Sequence, residues 1–138
     1  MTTEQNTTEL ADKVIAITGG GDGLGRAYAR YIAPGGARVV VNDTDRGRAE
    51  EVQRTIEGEG GVCRIHVGSV TDPDDAERLI QVCLDEFGQI DGLVNNAGLC
   101  YYVDPWDDEP ERYRRLIEVN LFGTMYCGIA FMMELRRT

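Results

Sequence analysis

The sequence predicts an α/β domain: a doubly wound parallel sheet with helices on both faces. Three observations carry that expectation. Short β-rich runs alternate with helix-like stretches along the chain, which implies β-α-β crossovers between parallel strands. The run Val39-Val40-Val41 is continuously apolar, as in a strand covered on both faces. A glycine-dense turn, Gly19-Gly20-Gly21-Asp22-Gly23-Leu24-Gly25, follows the first β-rich run and precedes the first helical one.

Taken in order, residues 14–18 form a first strand, and residues 25–33 a helix stopped by Pro34-Gly35-Gly36. Residues 38–42 are a second strand, closed by Asp43, and residues 48–57 a helix with Val52 and Ile56 on one side. Residues 62–67 make a third strand. Asp74 opens a helix whose Ala76, Leu79, Ile80, Cys83, Leu84 and Phe87 follow 3–4 spacing, and residues 90–95 are a fourth strand. A long helical segment runs from Glu111, apolar nearly all round over residues 116–135 except at Glu118, Asn120, Thr124 and Glu134. Twenty such residues raise the question of a membrane span. Two charges inside the stretch and the absence of flanking anchors argue instead for a helix covered by protein on several sides.

Composition sets the outer bounds. The 138 residues suit one domain, with residues 1–10 as a polar, flexible tail and 11–138 as the folded unit. A globule of this size buries roughly 68% of its unfolded surface, enough for a core without staples. A net charge of -10 speaks against nucleic acid and anionic membranes as partners. The tail has no apolar run and no basic residue, unlike a signal or transit peptide, so Asn6-Thr7-Thr8 reads as a chance glycosylation pattern. Cys63, Cys83, Cys100 and Cys127 lie far apart and His66 is the one histidine. Neither a metal site nor a disulfide framework is expected, and reduced thiols in the cytoplasm are the default.

The glycine turn has a physical purpose. A sharp strand-to-helix turn needs residues free to adopt positive φ. A pyrophosphate needs open backbone N–H groups and the positive end of a helix dipole, about half an elementary charge. Gly25 would let the helix pack tightly on the sheet. Such turns are glycine-rich for other reasons too, so the strand–turn–helix setting carries the functional reading.

The spacing here is T-G-x-x-x-G-x-G, from Thr18 and Gly19 to Gly23 and Gly25. With Asp43, Asn95-Asn96-Ala97-Gly98 and Asn120 in register behind it, the sequence resembles the short-chain dehydrogenase/reductase family over nearly its whole length. The resemblance implies a Rossmann-like sheet, here truncated after the fourth strand and the following long helix. It also implies hydride transfer between an alcohol or carbonyl substrate and a nicotinamide cofactor. Thr18, Gly19, Gly21, Asp22, Gly23, Leu24 and Gly25 would form the pyrophosphate turn. Asp43, eighteen residues past Gly25, would accept hydrogen bonds from the adenosine ribose and repel a 2′-phosphate, favouring NAD over NADP. Asp22 agrees with that preference; Arg46 and Arg48 weaken it unless they serve only a solvated helix start. Ser69 and Val70 stand where the family has Asp-Val beside adenine, and a serine hydroxyl accepts a hydrogen bond more weakly. Asn95, Ala97 and Gly98 would floor the riboses, although Asn95 and Asn96 could equally stabilise the end of the strand. Asn120 would be the family's catalytic asparagine, or a helix asparagine bonded to nearby backbone.

The family's proton transfer needs a tyrosine with a lysine four residues on and a serine. A phenol of pKa near ~10 is a poor base at neutral pH without that lysine. The chain holds one lysine, Lys13, and one serine, Ser69, and none of Tyr28, Tyr31, Tyr101, Tyr102, Tyr113 and Tyr126 has Lys at the fourth position beyond. Lys13 sits about five residues, at ~3.3 Å each, from the phosphate turn. The expectation is therefore the cofactor-binding half of a split or truncated enzyme, inactive alone and completed by a homo-oligomer or a second chain. The alternative is a non-catalytic NAD-binding regulatory or partner subunit. Cys100, Tyr101, Tyr102 and Trp106, in the stretch before Pro110, would flank a substrate pocket.

Overall fold

A computed structural model describes residues 9–138. The glycosylation pattern and most of the expected tail lie outside the described residues, while Leu10 packs against the core. Four strands form one parallel sheet: β1 (Val14–Ile17), β2 (Arg38–Asp43), β3 (Val62–Val67) and β4 (Gly92–Val94), ordered β3-β2-β1-β4. Val14 pairs with Arg38 and Ile17 with Val41; Ile17 also faces Val94 across β4, and Asp43 faces Val67. The chain steps outward from β1 to β3, then returns to β1's other side. That reversal opens a crevice at the carboxyl ends of the strands, between β1 and β4.

Helices cover both faces, and the valine run shows how. Val39 and Val41 join a cluster with Ala29, Ala49, Val52 and Ile56, from α1 (Gly23–Ile32) and α2 (Arg46–Gly58). Val40 points to the other side and joins Leu79, Ile80 and Cys83 of α3 (Pro73–Phe87). Strand alternation sends successive side chains to opposite layers, and each fully buried valine contributes about 1.5–3 kcal/mol.

Helix starts come earlier than hydrophobic spacing alone indicates. Asp22 caps α1 by accepting the Gly23 N–H at 2.8 Å. Asp45 caps α2 through the Arg48 N–H, and Asp72 caps α3 through the Asp74 N–H with Pro73 at the first position. These carboxylates satisfy amides that have no carbonyl inside the helix. β4 is shorter than expected: Ile90 is buried ahead of it, and Asn95 and Asn96 lie beyond the ladder, where the Asn96 side chain bonds the turn after β1.

The long helical segment differs most from expectation. It comprises α4 (Pro110–Ile117), a π-helical turn (Glu118–Gly123) and α5 (Thr124–Leu135). By length and composition this 26-residue segment could cross a membrane, with mean hydropathy 1.5 in its most apolar stretch. In the fold it lies against protein on one side: Ala130 and Phe131 pack on the α3 cluster, and Cys127 and Val119 are buried with Val70. Leu121, Phe122, Met125, Ile129, Met132 and Met133 are exposed. Among the described residues the expected cover on several sides is thus supplied on one side. At the π turn the helix approaches β3's end so closely that a Cβ on Gly123 would lie 2.5 Å from Val70 Cγ2.

Candidate functional site

The turn after β1 is held from three directions. Gly20 N–H donates to Asn42 O at 2.9 Å, tying it to β2, and Thr18 N–H donates to Val94 O at 3.0 Å, tying it to β4. Thr18 Oγ1, buried, accepts the N–H groups of Asn96 and Ala97, both at 3.0 Å. Asn96 Nδ2 returns the contact by donating to Thr18 O and Gly19 O at 3.1 Å each. Gly19 and Gly23 adopt positive φ, 60° and 52°.

Close approach excludes any side chain at two further positions. A Cβ on Gly21 would meet Asp43 Oδ2 at 2.6 Å, and one on Gly25 would run into Gly19 O and Asn96 Nδ2. The turn is therefore a bare backbone cradle at the start of a ten-residue helix. The Leu24 and Gly25 amides belong to the first turn, where no intrahelical carbonyl reaches. Amides of that kind at a helix start suit an anionic phosphate group, while those of Gly20, Gly21 and Gly23 are engaged by Asn42, Asp43 and Asp22.

A cleft of about 170 Å³ opens beside the cradle at the carboxyl ends of the strands. Of the residues singled out from sequence, Gly19, Asp43, Ser69, Val70, Ala97 and Gly98 line it. Asp43 is fixed at both oxygens: Oδ2 accepts the Gly21 N–H at 3.0 Å and Oδ1 the Asp45 N–H at 2.9 Å. Carboxylate oxygens retain further lone pairs after one bond each, so Asp43 can still accept hydroxyl donors. Ser69 Oγ lies 2.7 Å from Thr71 Oγ1.

Thr18 supports the cleft from beneath rather than lining it, and Gly21, Asp22, Gly23, Leu24 and Gly25 shape the turn beside it. Leu24 is exposed. Asn95 lies apart, exposed and beside α5 near Gly128. Asn120 stands behind the cleft in the π turn. Its Oδ1 accepts the Leu99 N–H at 2.6 Å and its Nδ2 donates to Leu99 O at 2.8 Å, a two-point clamp on the chain leaving β4. Lys13 pairs with Asp91 at 3.6 Å, at the end of β1 away from the turn. Tyr102 and Trp106 project into solvent and Tyr101 sits under the Arg112 guanidinium; the stretch from Leu99 to Pro110 lines the cleft through Leu99.

Sequence reasoning missed Asn42, Arg115 and Val119, and of the two asparagines read as possible strand-end supports the structure gives that part to Asn96. Asn96 is the tie between turn and strand four, distinguishable from Asn95 only once the chain leaves the ladder. Asn42 Nδ2 lies 3.0 Å from both Gly68 O and His66 Nδ1, bracing the loop after β3. The alternation of β2 could have flagged it as facing away from Val41. Burial holds the His66 imidazole below its ordinary pKa, against the opposing pull of Asp75. Asp75 is itself held below the usual carboxylate range by its hydrogen bond from Arg78 and by the Ser69 N–H. Arg115 and Val119 also line the cleft; their four-residue separation on a helix was the available signal.

The model of the family described as short chain dehydrogenase matches residues 13–138. The chain belongs to the short-chain dehydrogenase family. L-fucose dehydrogenase of Bos taurus is 37% identical over 134 residues, covering 95% of this chain and 47% of that protein. A short-chain type dehydrogenase/reductase from Mycobacterium marinum superposes with a TM-score of 0.90 at 27% identity, over 98% of this chain and 54% of that one. A metagenomic short-chain oxidoreductase solved in complex with NADP gives a TM-score of 0.85 at 31% identity, over 91% of this chain and 57% of that one. This short-chain dehydrogenase chain spans about half the length of the curated relatives it matches. Family membership fits the cradle and cleft described above, since family members work with nicotinamide cofactors.

Proposed function

We propose that this chain is the NAD(H)-binding part of an oxidoreductase that moves hydride between an alcohol or carbonyl carbon and nicotinamide. The observation that carries the reading is the placement of Asp43. Its carboxylate is pinned by the Gly21 amide at the lip of the phosphate cradle and lines the cleft where an adenosine ribose would lie. In this role the turn from Gly19 to Gly25 holds the pyrophosphate, Asp43 accepts the ribose hydroxyls, and Ser69 and Val70 border the base. Ala97 and Gly98 floor the site, and Asn120 keeps that floor in place through Leu99. The nicotinamide, when bound, supplies the hydride chemistry.

The preference for NAD over NADP rests on charge. Asp43 repels a 2′-phosphate, while Arg48 is already engaged by Asp22 at 3.7 Å and Asp45 at 3.9 Å. Arg46 faces Glu50 on its own helix. These exposed pairs are individually weak, but they place both cations among carboxylates.

Proton transfer needs groups outside these 138 residues, because the one lysine, Lys13, is held at the far end of β1. The isolated chain is accordingly expected to bind NAD and to turn over no alcohol. A second copy or another chain would cover the exposed side of the α4–α5 segment, which in this reading meets protein rather than lipid, in the cytoplasm. The lysine count and the position of Lys13 also favour a second reading, a nucleotide-binding subunit with no catalytic step.

Calorimetric titration with NAD and NADP tests the proposal. NAD is expected to bind at least about ten-fold more tightly than NADP, since hydrogen bonds to a charged group contribute about 1.5–3 kcal/mol. Asp43→Ala should remove that gap. Equal or tighter NADP binding by the native chain would refute the preference, and turnover of any alcohol by the pure chain would refute the need for outside groups.

A further inference from the structure

The cleft has one cationic wall residue that the cofactor reading does not use. Arg115 lies one helical turn before Val119, and both line the cleft together with Asp43, Ser69 and Val70. Among the described residues its ion-pair partner is Glu118, at 3.8 Å on the same helix, with both side chains half exposed. A pair of that kind holds a guanidinium weakly. Arg46 and Arg48 are held no more tightly, at 3.7 and 3.9 Å, and Arg78 is bound to Asp75 at 2.6 Å, but none of the three lines the cleft.

Recognition of a base by its polar edge is thinly supplied here. The Ser69 hydroxyl is shared with Thr71, and Asp75, the carboxylate behind Ser69, is taken up by Ser69 N–H at 2.9 Å and Arg78 at 2.6 Å. Recognition by the face of the ring is better provided for. A planar, delocalised guanidinium stacks on aromatic rings, whatever donors and acceptors the ring edge carries. Val119 supplies apolar contact on the same wall.

Resting on the reading of this cleft as a dinucleotide site, we propose that Arg115 is a positioning residue for the adenine end, its guanidinium lying against the face of the base. It acts on binding and leaves the 2′-position to Asp43.

Titrations of the full chain with 5′-AMP, ribose 5-phosphate and 2′,5′-ADP, followed by NMR shifts, test the assignment in the native protein, Arg115→Ala, Arg115→Lys and Asp43→Ala. Arg115→Ala should weaken 5′-AMP about three- to thirty-fold and leave ribose 5-phosphate unchanged. Arg115→Lys should recover only part of the loss, because it restores charge without a plane. Unchanged 5′-AMP binding in Arg115→Ala, with Asp43→Ala still impaired, overturns the role of Arg115 and spares the dinucleotide reading. Equal losses for ribose 5-phosphate and 5′-AMP, or a loss confined to 2′,5′-ADP, make Arg115 a phosphate ligand and overturn it as well. A native chain that binds none of the adenine nucleotides overturns both readings together. Arg115 is half exposed, so its variants should melt with the native protein, and that melt confirms the comparison is between folded chains.

Discussion

Gly25→Ala should destabilise the fold even though alanine is the better helix former. The added Cβ would run into Gly19 O and lie 2.5 Å from Asn96 Nδ2 and 2.9 Å from Gly19 C. None of these atoms can retreat cheaply. Gly19 is backed by Ala97, whose Cα is 2.9 Å from where a Gly19 Cβ would sit, and Asn96 is committed to Thr18 O and Gly19 O. Overpacking of this kind costs about 1–3 kcal/mol. Loss of the two Asn96 hydrogen bonds adds about 0.5–1.5 kcal/mol each, and improved helix propensity returns about 1 kcal/mol. The net expectation is a loss of about 3 kcal/mol, readable as a shifted urea midpoint at unchanged slope. Gly58→Ala is the matched control, because nothing lies within 4 Å of its Cβ position and it ends α2 without a positive φ. That variant should gain up to about 1 kcal/mol. If Gly25→Ala is as stable as the native chain, or gains like Gly58→Ala, the close packing of turn, helix and Asn96 is wrong.

Further outcomes are expected elsewhere in the fold. Asn120→Ala removes both hydrogen bonds to Leu99 and should speed amide exchange from Leu99 to Glu109 well before α3 is affected; unchanged exchange there would count against the clamp. His66 has a lowered pKa through burial, so the unfolded chain takes up its proton first. Its contribution to stability is complete above about pH 6.5 and is lost as pH falls through the folded-state value. Replacing His66 with Gln should flatten that decline, while losses from the depressed carboxyl of Asp75 set in only below about pH 4. Burial pushes the thiols of Cys63 and Cys83 up to about 12 and that of Cys127 to about 11, whereas Cys100 is exposed. Iodoacetamide at pH 8 should therefore label Cys100 alone in the native protein, and mass mapping of a second labelled site would contradict the core assignment.

Much of this molecule was legible in one dimension because its signals are local. The alternating β-rich and amphipathic runs require parallel strands covered by helices, and the Val39-Val40-Val41 run requires cover on both faces. The glycine spacing before the first helix pointed to the cradle, and with Asp43, Ser69-Val70 and the Asn95-to-Gly98 stretch it picked out half of the cleft lining. Backbone freedom and strand alternation follow from residue type, so they survive without coordinates.

What only the tertiary structure decided depends on contacts between segments remote in sequence. Thr18 turned out to spend its hydroxyl on Asn96 and Ala97, nearly eighty residues away. Asn96 became the tie and Asn95 the exposed neighbour because the chain leaves β4 just before them. The π turn shifts the register of the long helix, bringing Asn120 onto Leu99 and Gly123 onto Val70; hydrophobic periodicity carries no mark of it. Arg115 was an ordinary surface arginine until α4 was laid across the end of β3. Sequence fixes which groups a segment can offer, and packing between segments decides which partner each of them meets.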